Sequence, residues 1–363
     1  MRIAKDVTTL LTGIICAGAV TLLITVLVTL GVSVNNHAEA AVYYPDDNTI
    51  IASWERPSDA LPDVQTLQQE LAQARTLNGS EKVLRKLYRQ TQRGLNAQIA
   101  NPEWHIFHAR LLQQQHQFDE AAEVLDNTIR QHRASASALM LLATVEVNRG
   151  SPDQARKACQ KLAGIGEPTF AAICLLDIDA QQQPDEADYQ KLQQLRKFSG
   201  LERAPAIDNW AGEILAAMAM ALNKPEEAAG YLSDTDLSAA PISRVALWAD
   251  IQLELGRASA VTDILTPLIK APSNLDDAIL VRLAQAEATL ATNDDWQQIM
   301  KQRVTMREWR GDNVHAAQLA RYYLDVNADP VKAMHFAKLN WEHGKTWDDK
   351  MLLQRANALE LRQ

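Results

Sequence analysis

A chain of 363 residues is long enough to bury a continuous core. Its 47% hydrophobic content, with only 14 Gly and 13 Pro among many Ala, Leu, Gln and Glu, is a helix-forming mixture with little strand signal. The 45 acidic against 36 basic residues give a net charge of −9, and the basic residues are scattered without a run; phosphate binding wants a positive face, so nucleic acid is excluded as a partner class.

From the amino terminus, Met1 to Asp6 precede an uncharged run from Val7 to Val34, rich in Leu, Val, Ile and Thr. That run is long enough to cross a bilayer core of roughly 30 Å. Arg2 and Lys5 lie before it and Asp46 and Asp47 after it, which predicts a cytoplasmic amino terminus and an exported remainder. Residues 1–34 are therefore expected to be a single membrane anchor, with a cleaved signal as the alternative: Asn35 to Ala40 is polar and ends in an A-x-A pattern that would permit cutting before Ala41. The apolar run is longer than secretory cores of about 7–15 residues, which favours the anchor. A lipoprotein is excluded, because Ile15 precedes Cys16 where a small residue is required.

Residues 35–62 carry Tyr43-Tyr44-Pro45-Asp46-Asp47 and Arg56-Pro57-Ser58 without helical period, and read as an extended linker. Residues 63–100 then predict a capping helical hairpin, with helices over Asp63–Thr76 and Glu81–Ile99 joined by Asn78-Gly79-Ser80. Residues 101–363 predict a helical repeat domain. Its clearest units run from Glu103 to Arg133 and from Ala138 to Gly164. Ala109, Ala121 and Leu125 of the first recur as Ala143, Ala155 and Cys159 of the second, each at an offset of 34. Two antiparallel helices approach closely only where one presents a small residue, and Gly150 suits a helix end because it adopts left-handed backbone without steric cost. Pro152 and Asp153 suit the next helix start.

The pattern continues loosely. Ala187, Ala228 and Ala333 each follow a turn of proline and acid, residues 246–255 and 261–269 flank Gly256-Arg257-Ala258-Ser259, and residues 275–307 break at Thr292-Asn293-Asp294-Asp295. Trp347 to Leu361 closes the series. A period of 34 residues with these small positions resembles the tetratricopeptide repeat, and roughly six or seven hairpins can be counted. The resemblance is specific only over 103–164, because elsewhere the tryptophan, glycine and proline positions of the family are displaced or replaced. It implies an all-α fold, a right-handed α-solenoid of stacked antiparallel helical hairpins.

In such stacks the first helices of successive hairpins line a concave groove that holds peptides. The resemblance therefore places Ile106, Arg110, Gln113 and Gln114 beside Met140, Thr144, Val147 and Asn148. Arg110 is expected to grip a carboxylate, with Gln113, Gln114 and Asn148 satisfying a peptide backbone. Trp210, Trp248, Trp309 and Trp341 are assigned to packing between hairpins. Cys159 and Cys174 fall on faces that pack together in these stacks. Two readings stay open for them: small buried residues, or a structural disulfide in an oxidising compartment.

Little else carries chemistry. His105 and His108 stand three apart on one helix without a further ligand pattern, so no metal site is expected. Neither H-E-x-x-H, G-x-S-x-G nor a glycine-rich phosphate loop is present, and Asp294, Asp295, Asp348 and Asp349 sit at turns where helix capping accounts for them. No catalytic residue and no cofactor are expected. The combined reading is an exported, membrane-tethered interaction module of a bacterial envelope, a scaffold or assembly factor binding proteins or peptides in the periplasm. The alternatives are a holdase in cofactor insertion or secretion and, with no block left for a catalytic domain, an α-superhelical cell-wall enzyme.

Overall fold

The computed structural model describes residues 60–98, 100–132, 135–200, 204–291, 294–312 and 314–361. The predicted anchor over 1–34 and most of the predicted linker over 35–62 lie outside the described residues. Residues 60–363 form one compact unit. Among the described residues the secondary structure is helical throughout, and no helix is long and apolar enough to cross a membrane.

The first hairpin is α1 (Val64–Ala74) and α2 (Glu81–Ala97). The repeat with the clearest signature follows as α3 (Pro102–Gln114) and α4 (Phe118–Gln131), then α5 (Ala136–Asn148) and α6 (Pro152–Gly164). Next come α7 (Pro168–Gln182), α8 (Glu186–Phe198), α9 (Pro205–Ala221), the short α10 (Pro225–Tyr231), α11 (Ile242–Glu254) and α12 (Ala258–Leu265). The chain ends with α13 (Asp277–Leu290), α14 (Asp295–Arg310), α15 (Ala316–Asp325), α16 (Pro330–His343) and α17 (Trp347–Glu360).

The small residues do what close packing requires. Ala109, Ala121, Ala143, Ala155, Ala228 and Ala333 are all buried, whereas Ala187 is exposed at the start of α8. Gly94 plays the same part in the first hairpin: a Cβ there would stand 2.3 Å from the indole of the buried Trp104. Side chains set several helix starts, since Asp63, Ser80, Asn101, Asp185, Asp276 and Asp329 each accept from a backbone N–H of the first turn. Thr346 and Asp349 form a reciprocal capping box on α17.

Two capping expectations fail. Asp294 makes no side-chain cap on α14; Glu287 reaches across from α13 and accepts from the backbone N–H groups of Trp296, at 2.8 Å, and Gln297, at 3.1 Å. Asp348 makes no cap on α17, which uses Asp349, and desolvation raises the pKa of Asp348 against the attraction of the Arg321 charge. Trp309 also departs from the expected packing role and is 83% exposed on α14.

The stack bends back on itself instead of ending in a free cap. The turn after α1 packs against the middle of the chain: Ile242 N donates to Arg75 O at 2.9 Å, Asn78 Nδ2 donates to Leu268 O at 3.0 Å, and Asn78 Oδ1 accepts from Lys270 N at 2.8 Å. Leu77 belongs to the apolar cluster of α11–α17, among Leu237, Ile242 and Leu275, and not to that of its own hairpin. At the other end α17 packs on α7, and the Lys345 side chain crosses Gly150, where a Cβ would meet its Cγ at 2.8 Å. The left-handed φ of Gly150, +77°, gives glycine a second reason to stand there.

Leu77 is 3% exposed. Leu77→Ala is expected to lower the unfolding free energy in urea by about 2–4 kcal/mol. A loss within 0.5 kcal/mol, the range of ordinary surface changes, would show that the closure carries no stability.

Candidate partner-binding groove

Residues three, four and seven apart on a helix share one face, and on α3, α5 and α7 those faces converge. Arg110 and Gln113 of α3 meet Met140, Thr144, Val147 and Asn148 of α5 around a cavity of about 400 Å³. Asp177, Ile178 and Gln181 of α7, Trp210 of α9 and Thr346 at the start of α17 complete its lining. The volume falls in the range of pockets that enclose a small ligand or a short stretch of chain.

Of the eight residues the repeat register places in a groove, six line this cavity. Ile106 does not, because its side chain is 3% exposed and packs in the core with Ala138 and Leu139. Gln114 lies outside the lining as well, about 100° around the helix from Gln113. Two of the polar residues are partly engaged already: Thr144 Oγ1 donates to Met140 O at 3.1 Å and Asn148 Nδ2 donates to Thr144 O at 2.8 Å. Asn148 keeps its amide oxygen for an incoming N–H.

The unexpected member is Asp177. The 34-residue offset that relates Met140, Thr144 and Val147 to Cys174, Ile178 and Gln181 relates Ala109 and Ala143 to Asp177. One further step of the register would have brought α7 into the groove and shown a carboxylate where the two preceding units carry alanine.

Electrostatically the cavity holds two lone charges. Asp177 is half-buried, and desolvation by the surrounding protein pushes its pKa up to about 6; the long contact from Gln181 Nε2, at 3.5 Å, opposes the shift and the negative charge of Glu213 adds to it. Burial likewise lowers the pKa of the Arg110 guanidinium. Neither side chain forms an ion pair among the described residues, and α5 stands between them. Asp179, two residues from Asp177 on the other side of α7, is by contrast paired with Arg156.

In two other large cavities a central carboxylate has arginine partners. Between the first hairpin and α13–α14, the buried Asp277 receives both Arg303, at 2.5 Å, and Arg307. Between α9, α11, α15 and α17, Asp250 receives Arg282 at 2.7 Å and Arg321 at 3.7 Å. His108 Nε2 lies 3.3 Å from Gln92 Nε2, burial lowers its pKa, and no group of three metal-binding side chains gathers among the described residues.

One wall of the cavity is covalently fixed. Cys159 of α6 and Cys174 of α7 form a disulfide with Cα atoms 5.7 Å apart, and Cys174 stands one turn before Asp177 on the lining face.

Two outcomes follow from this wall. The disulfide closes a loop of 15 residues, so its reduction is expected to lower the unfolding free energy by about 3 kcal/mol, read from denaturant curves with and without dithiothreitol. Equal curves would mean that the bond adds no stability. For Asp177 the folded-state pKa lies above the ordinary value, so the carboxyl favours the folded chain only while protonated. Wild-type stability is lost as pH rises from 3.8 to about 6. Asp177→Asn is therefore expected to be more stable than the natural chain by roughly 1–3 kcal/mol at pH 7.5, with the difference vanishing near pH 4. A destabilised variant at pH 7.5 would show that the carboxylate is paired in solution.

No curated protein matches the chain. Residues 108–168, from the middle of α3 to the start of α7, match the family model described as tetratricopeptide repeat. That match, with the helical hairpins that surround it, supports a tetratricopeptide-repeat protein, built on a fold that suggests a protein–protein interaction module.

Proposed function

We propose that this protein is an exported interaction module of a bacterial envelope, held to the membrane by residues 7–34, whose concave cavity receives a peptide segment of a partner protein. The observation that carries the reading is the cavity between α3, α5 and α7. It joins an apolar floor of Met140, Val147 and Ile178 to an arginine and an aspartate that form no ion pair among the described residues. A side chain needed only for stability would be paired or apolar, because a desolvated lone charge weakens the folded state.

The location rests on two supports. The uncharged run from Val7 to Val34 is preceded by Arg2 and Lys5, and the Cys159–Cys174 bond suits an oxidising compartment such as the periplasm. A scaffold or assembly factor needs only to hold its partner, and the cavity supplies recognition groups without a catalytic constellation.

The test places a photo-crosslinking amino acid at Met140 of the tagged, full-length protein in its native cell, with a second probe at the exposed Glu120 on α4, the second helix of the preceding hairpin. A specific adduct at Met140 that is lost on Arg110→Glu is expected, and the mass of the mature amino terminus, recorded in the same preparation, should begin at Met1 for a retained anchor. Adducts at Glu120 with none at Met140 would move the partner to the outer face and end the groove reading.

A further inference from the structure

Resting on the reading of the cavity as a peptide groove, we propose that the groove recognises a cationic group of the partner segment, received by Asp177 against the ring of Trp210, with an acidic group several residues away received by Arg110.

Asp177 forms no ion pair among the described residues. Along the stack, several partly buried carboxylates have a guanidinium of their own: Asp208 has Arg196 at 2.7 Å, Asp250 has Arg282 at 2.7 Å, and Asp325 has Arg355. Asp177 has only the amide of Gln181, at 3.5 Å, which is too long for a strong hydrogen bond. Its nearest acidic influence, Glu213, is itself satisfied by Arg244 at 3.3 Å and deepens the local negative potential. The wall is therefore complementary to a positive charge that the described residues do not supply.

The surroundings narrow the chemistry. Ile178, Met140 and Trp210 line the space around the carboxylate, so an arriving cation gains if it carries a hydrocarbon stem or a flat face that can lie on them. Lysine and arginine side chains meet that description. A free amino terminus offers the same charge without the stem, and the two sources are separable by experiment.

Spacing adds a second condition. Arg110 and Asp177 stand on helices separated by α5, and neighbouring helices lie roughly 8–10 Å apart. An extended chain advances about 3.3 Å per residue, so the acid and the cation on the ligand should be about four to six residues apart, less where the curve of the groove shortens the path. The gap over α5 is floored by Met140 and Val147, which favours an apolar residue between them.

The probe is a degenerate octapeptide library, prepared once with free and once with acetylated amino termini and presented to the full-length protein in detergent. Wild type, Asp177→Asn, Asp177→Glu and the neighbouring control Asp179→Asn are compared, with circular dichroism to establish that each is folded. The expected result is enrichment of Lys or Arg at the stated distance from Asp or Glu. A selected peptide should bind Asp177→Asn roughly 10- to 100-fold more weakly, while Asp177→Glu and Asp179→Asn retain affinity. Enrichment that depends on the free amino terminus and not on a basic side chain would support the same carboxylate with a chain end as the cation. Enrichment of acidic or apolar peptides alone, equal in wild type and Asp177→Asn, would overturn the role of Asp177 and leave the peptide groove standing. No peptide retained above the level of an Arg110→Glu, Asp177→Asn double variant would bring down both.

Discussion

Everything in this molecule depends on how closely two antiparallel helices can approach, and that distance is set by buried alanines. Ala109 and Ala121 in one hairpin, and Ala143 and Ala155 in the next, let large residues such as Phe107, Leu125 and Leu139 fill the spaces to either side without voids. Because the same contact recurs from hairpin to hairpin, each unit is turned relative to the last by a similar amount, and first helices come to share a concave side. The cavity is a consequence of that repetition, since no single hairpin contains it. Where the repetition weakens, as at the seven-residue α10 and the eight-residue α12, the connections lengthen into turns, and one of these, around Leu268 and Lys270, is where the first hairpin docks.

The parts that could be read in the sequence are those governed by local rules. Gly150, Pro152 and the alanine spacing located four helices between residues 102 and 164 because each residue type answers a steric requirement that few others meet. The closure of the stack could not be read the same way. It relies on Asn78 bonding to two backbone groups about 190 residues away and on Leu77 entering a distant core, and neither residue differs in kind from an ordinary turn residue. Glu287 capping a neighbouring helix is a similar case: a side chain serving another element leaves no periodic trace in its own. Asp177 was hidden for a different reason. An acid in a helix is usually a solvated face, and only its coincidence with the alanine register marks it as unusual.

The contrast between compensated and uncompensated charge gives the molecule a division of labour. In the second half, Asp250, Asp277 and their arginines are partly or wholly buried together, an arrangement in which mutual attraction offsets the desolvation of each and the removal of one partner leaves the other stranded. Those clusters tie α11, α13, α14 and α15 into a frame. In the first half the charges that face the cavity form no ion pair among the described residues, and the disulfide between α6 and α7, beside Asp177, does the tethering instead. A covalent link can hold a helix in place without using the polar groups on its inner face.

That arrangement bears on what kind of recognition is possible. If Arg110 and Asp177 were adjacent they would neutralise one another, and a ligand would have to break that pair before gaining anything. Held apart by α5, each instead stands in a partly dehydrated wall where a charge-assisted hydrogen bond is stronger than at the open surface. A partner matching both charges recovers the stability that the empty groove forgoes, while a partner matching one of them leaves the other still desolvated, now with less access to water. Selectivity then arises from the cost of the unmatched charge as much as from the gain of the matched one. The same two residues that make the fold less stable than it could be are thus the ones able to discriminate between segments of similar shape.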